Sequence, residues 1–144
     1  MKIGKAVAMR VRCRVYQSVF ESGNMSNPPN LEELTEQLIE FRDARDWRQF
    51  HSLKDLVLSL SLEASELLEL SQWKPEADFE EEALSEPMQQ RLKEECADVL
   101  LYLLLIAERT GIDLPQAAAD KIKANDRKYP VDKSHGRSTK YTEL

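Results

Sequence analysis

The sequence predicts an all-α protein, on three observations. Only four of 144 residues are glycine. Long β-branched runs are scarce, which argues against a sheet. Apolar residues recur at helical spacing in segments bounded by start and stop signals. These segments make four helices, the size of one domain with a real core.

The first helix is expected from Leu31 to about Arg45, after Pro28, Pro29 and Asn30, with Leu31, Leu34, Leu38 and Phe41 as its apolar stripe. The linker DWRQFH then brings two aromatic residues and a histidine together. A second helix runs from about Ser52 to Gln72 and stops before Pro75. The segment KPEADFEEEALSEP reads as a loop with a solvated acidic run. The third helix begins at Glu86-Pro87 and continues to Thr110, where Gly111 ends it. Asp113 can cap a fourth, which tolerates Pro115 in its first turn and ends near Tyr129. The expected division is therefore a basic, disordered extension over 1–30, an all-α domain over 31–130 and an irregular tail over 131–144.

The first twenty residues carry five basic side chains and no acid. They are too basic and too interrupted for a secretory core. Three readings are open: a disordered arm, an over-extended start with Met25 as the initiator, or an organelle presequence; the first two together are favoured. Within this stretch Val11, Cys13 and Val15 alternate with Arg10, Arg12 and Arg14, a pattern suited to an edge strand.

Charge narrows the function. A net charge of −6 leaves no basic footprint, so a nucleic-acid polymer is not an expected partner. A small anionic ligand would need a cation to offset the repulsion. Val99–Ala107 is the longest uncharged apolar run and is too short for a bilayer, so no membrane partner is expected. Cys13 and Cys96 form no motif; Cys96 reads as a buried, inert thiol and the compartment as reducing and cytoplasmic.

The chemistry lies in acids placed among leucines. In the second helix Leu53, Val57, Leu60, Ala64, Leu67 and Leu68 share a sector, and Glu63 falls on its shoulder with Glu66 about 60° further round. Leu58 and Leu62 cover the opposite side, so this helix is apolar almost all round and is expected at the centre of a bundle or against another subunit. In the third helix Glu95, Asp98, Tyr102 and Ile106 lie near one line. An unpaired carboxylate is costly to bury, and two facing two would repel. A hard divalent cation resolves the conflict, and magnesium prefers such oxygens while also holding a substrate phosphate. Glu63, Glu66, Glu95 and Asp98 are accordingly the candidate ligands, and Glu69 is left out. The competing view is that ExxE is common on solvated helix faces; pairing with ExxD in a leucine-dominated run weighs against it.

EASE (63–66) with EECADVLLYL (94–103) resembles the all-α nucleoside triphosphate pyrophosphatases, the MazG-like superfamily. DWRQFH (46–51), ELSQWK (69–74), DLPQA (113–117), KIKANDRKYP (121–130) and KYTEL (140–144) are similar to its dCTP pyrophosphatase branch. The resemblance implies a four-helix subunit in a homodimer or homotetramer with composite sites, and Mg2+-dependent hydrolysis of a nucleoside triphosphate to the monophosphate and pyrophosphate. It implies magnesium at Glu63, Glu66, Glu95 and Asp98. It implies a base pocket from Trp47, His51, Trp73 and Tyr102, with Arg48, Gln49 and Phe50 in the same loop, and it places Lys121 and Asn125 near the phosphates. Two positions depart from the pattern: Leu62 stands where many members have a further glutamate, and Leu38 replaces a histidine of animal members.

The inferred reaction is in-line attack of water on the α-phosphorus, with Glu63 the choice to orient or deprotonate that water. Lys121 offers a point charge to phosphate oxygens, and the aromatic residues offer stacking surfaces that discriminate little between bases. The expected substrate is dCTP or a modified dCTP, in nucleotide-pool housecleaning. The rivals are a dUTP or broad-range pyrophosphatase and a non-catalytic helical nucleotide-binding or assembly protein.

Overall fold

Local capping signals set most of the helix ends. In the computed structural model, which describes residues 28–143, the segment Leu31–Leu144 forms one compact unit. Its elements are α1 (Leu31–Asp43), a 3-10 turn (Trp47–Phe50), α2 (Leu53–Glu69), α3 (Glu76–Glu82), α4 (Glu86–Thr110), α5 (Leu114–Lys128), α6 (Val131–Ser134) and a closing 3-10 turn (Tyr141–Glu143). No strand occurs among the described residues. The alternating segment around Val11–Val15, Cys13 and the three readings of the N-terminus lie outside them.

Ser52 caps α2: its Oγ accepts from the Asp55 N–H at 3.1 Å and donates to the Asp55 carboxylate. Asp113 caps α5 in the same way, accepting from the Gln116 N–H at 2.9 Å, with Pro115 in the first turn where its missing N–H costs little. Gly111 ends α4 at φ 70°, a left-handed position that side chains resist and glycine accepts freely.

Two segments expected to be irregular hold structure. The acidic loop contains α3, started by Pro75 at φ −57° and favoured by Glu76 and Asp78 in its first turn. Lys74 pairs with Glu82 and lies 5.8 Å from the Phe79 ring centre, which ties the helix to its entry. In the tail, Pro130 opens α6, and Ser134 Oγ donates to the Pro130 carbonyl at 2.8 Å. Tyr141 then meets Tyr129 edge-to-face at 5.9 Å, with Lys128 5.2 Å from its ring centre. These contacts return the chain to the end of α5.

The central packing is α2 against α4. Leu56, Leu60, Glu63, Leu67 and Leu70 recur at alternating steps of four and three, the spacing of a coiled-coil seam. Leu56 and Leu70 are buried, and the three between are half-buried. On α4, Met88 is buried and Leu92, Glu95 and Val99 are half-buried at the same steps. Each seam thus has a glutamate at its middle. The helices run antiparallel, since His51 shares a cavity with Asp98–Leu105 while Glu63 and Glu66 lie by Glu95. The helix α1 packs on α4 as well, near the buried Leu104 and Leu105.

This geometry corrects the expected sector of α2. Leu53, Val57 and Leu68 are exposed, together with Leu58 and Leu62 on the other side, because Leu56 and Leu70 carry the contact with α4. The expectation for Cys96 is also overturned: it is exposed. The seam passes through Glu95 and Val99, which turns the intervening position outward. Only Leu114, Ala119 and Ala124 of α5 are half-buried, and the rest of that helix is exposed. No helix among the described residues is long and apolar enough to cross a membrane.

Candidate metal and nucleotide site

The seam brings three acids together. Glu63, Glu66 and Glu95 each offer a carboxylate oxygen within 4.8 Å of the other two. Glu63 and Glu95 are half-buried between helices, and Glu66 is exposed at the rim. Burial pushes the Glu63 carboxyl above its ordinary value, and the charges of Glu66, Asp98 and Glu95 push it the same way. Asp98 is exposed and stands close enough to act on Glu63 electrostatically, although it is not one of the three converging acids. Neighbouring Glu94 is engaged elsewhere, accepting from Gln90 Nε2 at 2.7 Å.

Three oxygens at this separation fit a hard divalent cation. They are too close for comfort as free anions and near enough for a single ion with some waters retained. The donor set is all oxygen, which suits magnesium, calcium or manganese over softer metals.

Beside the acids lies a cavity of about 160 Å3, lined by Leu38, Phe41, Arg42, Trp47, His51, Asp98, Leu101, Tyr102 and Leu105. Asp98 therefore belongs to its wall and to the electrostatic field of the acid group. The left-handed Asp46 (φ 53°) turns the chain out of α1, and the 3-10 turn that follows carries Trp47 to this wall. Trp47 meets Phe41 edge-to-face at 5.8 Å, and the Arg45 guanidinium covers the other part of Phe41 at 3.6 Å. His51 joins the turn to α2 through its N–H, which donates to the Arg48 carbonyl at 3.2 Å.

Of the residues singled out in the sequence, Trp47, His51, Tyr102 and Asp98 share the cavity, while Glu63, Glu66 and Glu95 converge next to it. Arg48, Gln49 and Phe50 are exposed on the 3-10 turn, and Gln49 Nε2 is spent on Asp46, its backbone carbonyl at 3.0 Å and its carboxylate at 2.6 Å. Lys121 and Asn125 are exposed on α5 and do not line the cavity. Trp73 is 93% exposed at φ 64°. The 17 residues of α2 separate it from the His51 end by about 25 Å.

Sequence reasoning missed Arg42 and Glu108. Arg42 is only 3% exposed, and its Nη1 donates to Glu108 Oε2 at 3.0 Å while its Nε donates to Asp43 Oδ1 at 2.7 Å. An arginine in the last turn of a helix is what the helix dipole favours anyway. Nothing local in the sequence distinguishes this one.

Residues 58–144 match the model of the MazG-like family. The chain is 43% identical over 121 residues to the dCTP pyrophosphatase 1 of Bos taurus, covering 84% of this chain and 72% of that protein. It is 40% identical over 121 residues to dCTP pyrophosphatase 1 of Homo sapiens, covering 84% of this chain and 71% of that one. Among solved structures, a pyrophosphatase from Archaeoglobus fulgidus superposes with a TM-score of 0.65 at 41% identity, over 75% of this chain and 99% of that one.

Proposed function

The chain belongs to the MazG-like family, and from that premise we propose that it hydrolyses dCTP or a modified dCTP to the monophosphate and pyrophosphate, removing it from the nucleotide pool. It is a nucleotide pyrophosphatase, and the proteins it is similar to include dCTP pyrophosphatases and a pyrophosphatase of known structure. The observation that carries the reading is the adjacency of two compartments: three converging carboxylates, and a cavity whose wall includes a fourth.

Each compartment suits one end of the substrate. The cavity of about 160 Å3 is large enough to receive a nucleobase. Trp47 and Tyr102 offer it flat faces, and His51 a polar edge. The triphosphate extends toward Glu63, Glu66, Glu95 and Asp98, the residues that would hold Mg2+. Magnesium there supplies the positive charge that lets a triphosphate approach acids and offsets charge on the phosphoryl oxygens. Glu63, on the seam and with a raised proton affinity, is the group proposed to orient or deprotonate the attacking water at the α-phosphorus.

A single chain leaves this site unfinished, which supports a homodimer or homotetramer. Trp73 is too far from the cavity of its own chain to serve it, and its exposed ring fits the site of a second copy. Lys121 and Asn125, on the outlying α5, suit the same role toward the phosphates. The outer side of α2 exposes Leu58 and Leu62 at 57% each, and its flank exposes Val57 at 52%, apolar surface that a second copy could cover. In this reading the catalytic unit is 31–130, and the setting is the cytoplasm.

The test is incubation with a panel of deoxynucleoside triphosphates and magnesium, resolving the products. Monophosphate plus pyrophosphate, with dCTP and 5-methyl-dCTP ahead of dUTP and the purines, is the expected result. Diphosphate plus phosphate would exclude attack at the α-phosphorus, and binding without turnover would favour the non-catalytic rival.

A further inference from the structure

Among the described residues, two buried side-chain polar atoms lack a hydrogen-bond partner, Arg42 Nη2 and His51 Nδ1. Both residues line the same 160 Å3 cavity. A buried donor with no acceptor is costly, and native proteins keep few of them outside functional sites. We propose that Arg42 is a specificity-determining residue of this cavity, its free Nη2 donating a hydrogen bond to the carbonyl edge of a bound pyrimidine. The proposal rests on the reading of the cavity as the base site and adds the group that recognises the ring.

The guanidinium is held in advance. Nε is fixed by Asp43 at 2.7 Å and Nη1 by Glu108 at 3.0 Å, so two of its three nitrogens are committed and the plane cannot turn freely. Arg42 is 3% exposed, and Nη2 is closed to water. An occupant of the cavity can supply that acceptor once the wall parts over this nitrogen to admit it. Leu38, Phe41, Leu101 and Leu105 have no side-chain acceptor to give, and none of the polar groups in the wall bonds it.

The local charge indicates which acceptor. Asp43 and Glu108 together outweigh the single positive charge, so the cluster has no excess attraction for a phosphate. What it offers is one directed donor in a largely apolar setting, which suits a neutral carbonyl oxygen. Cytosine presents such an oxygen next to a ring nitrogen that also accepts. Across the same ring its amino group can donate to His51 Nδ1, the second unpartnered atom. Uracil would present a second carbonyl there instead. A site that leaves polar groups unpaired with the wrong ring discriminates far better than a greasy one.

The experiment is calorimetric binding, in magnesium, of dCMP and of deoxyribose 5-phosphate, which lacks the ring. Wild type should bind dCMP more tightly than the sugar phosphate. Arg42→Met should weaken dCMP about tenfold and leave deoxyribose 5-phosphate unchanged. Arg42→Lys keeps the charge toward Asp43 and Glu108 but not the planar fork; it should show the same ring-dependent loss and serves if the methionine variant does not fold. Equal losses on both ligands would make Arg42 a structural strut and overturn the proposal, as would unchanged dCMP binding in a folded variant. Wild-type binding of dCMP no tighter than of the sugar phosphate would overturn it too. Release of pyrophosphate from dCTP, assayed in parallel, reports on the reaction alone: its absence with ring-dependent binding intact would sink the enzymatic reading and leave the role of Arg42 standing.

Discussion

Glu63→Gln should make the metal-stripped protein more stable. Glu63 has two carboxylates within 4.8 Å. At that distance two unit charges repel by about 1 kcal/mol in water and about 3–4 kcal/mol at an effective dielectric near 20. Glu66 is exposed and Glu63 half-buried, so the lower value applies, and removing one charge from two pairs relieves about 1–2 kcal/mol. That corresponds to a rise in melting temperature of about 3–8 °C for a chain of this size. The pH dependence has a definite sign. The folded-state pKa of Glu63 is raised, so folding favours its protonated form. Its unfavourable contribution is absent below the unfolded-state pKa and grows as pH rises through the folded value. The gap between variant and wild type should therefore be full at pH 7 and close toward pH 4. Magnesium at a hundred times its dissociation constant stabilises a binding-competent fold by about 2.7 kcal/mol, so its addition should lift wild type above Glu63→Gln. Thermal scans by circular dichroism, with chelator and then with magnesium, measure all of this. A variant no more stable than wild type at any pH in chelator would refute the reasoning about crowded charge.

Glu95→Ala should lower dCTP turnover at least about 100-fold, since even groups one layer outside a metal cost 10–100-fold, while its far-ultraviolet circular dichroism stays that of wild type. Leu58→Glu combined with Leu62→Glu should reduce the sedimenting mass and the activity together, because both residues lie on the outer side of α2. Trp73→Ala should raise KM with little change in melting temperature, as a ring 93% exposed in its own chain contributes little to folding that chain. Ser52→Ala, removing the cap of α2, should cost about 1 kcal/mol by chemical denaturation.

Much of this molecule could be read before its structure. The ends of α4 and α5 follow from Gly111, Asp113 and Pro115, since these residues impose backbone geometry wherever they sit. The convergence of Glu63 with Glu95 was legible because acids at helical spacing among leucines have few inexpensive explanations. The position of the seam was not. A helix apolar on every side has no preferred face until its neighbours exist, and so Leu56 and Leu70 were passed over while Leu53 and Leu68 were expected inside. Cys96 was misplaced for the same reason. The helix α3 was hidden because acid runs read as solvent-facing in either state, and its stabilising contact with Lys74 spans eight positions. Arg42 carried no local mark, because its partner Glu108 lies 66 residues away.

Asp98 borders both the cavity and the acids that neighbour it. Selection for a different heterocycle that touches this wall also disturbs the proton affinity of Glu63. If the cavity receives the base as proposed, preference and speed are wired through one side chain, and a search for variants with altered taste should expect slower enzymes unless position 98 is left alone.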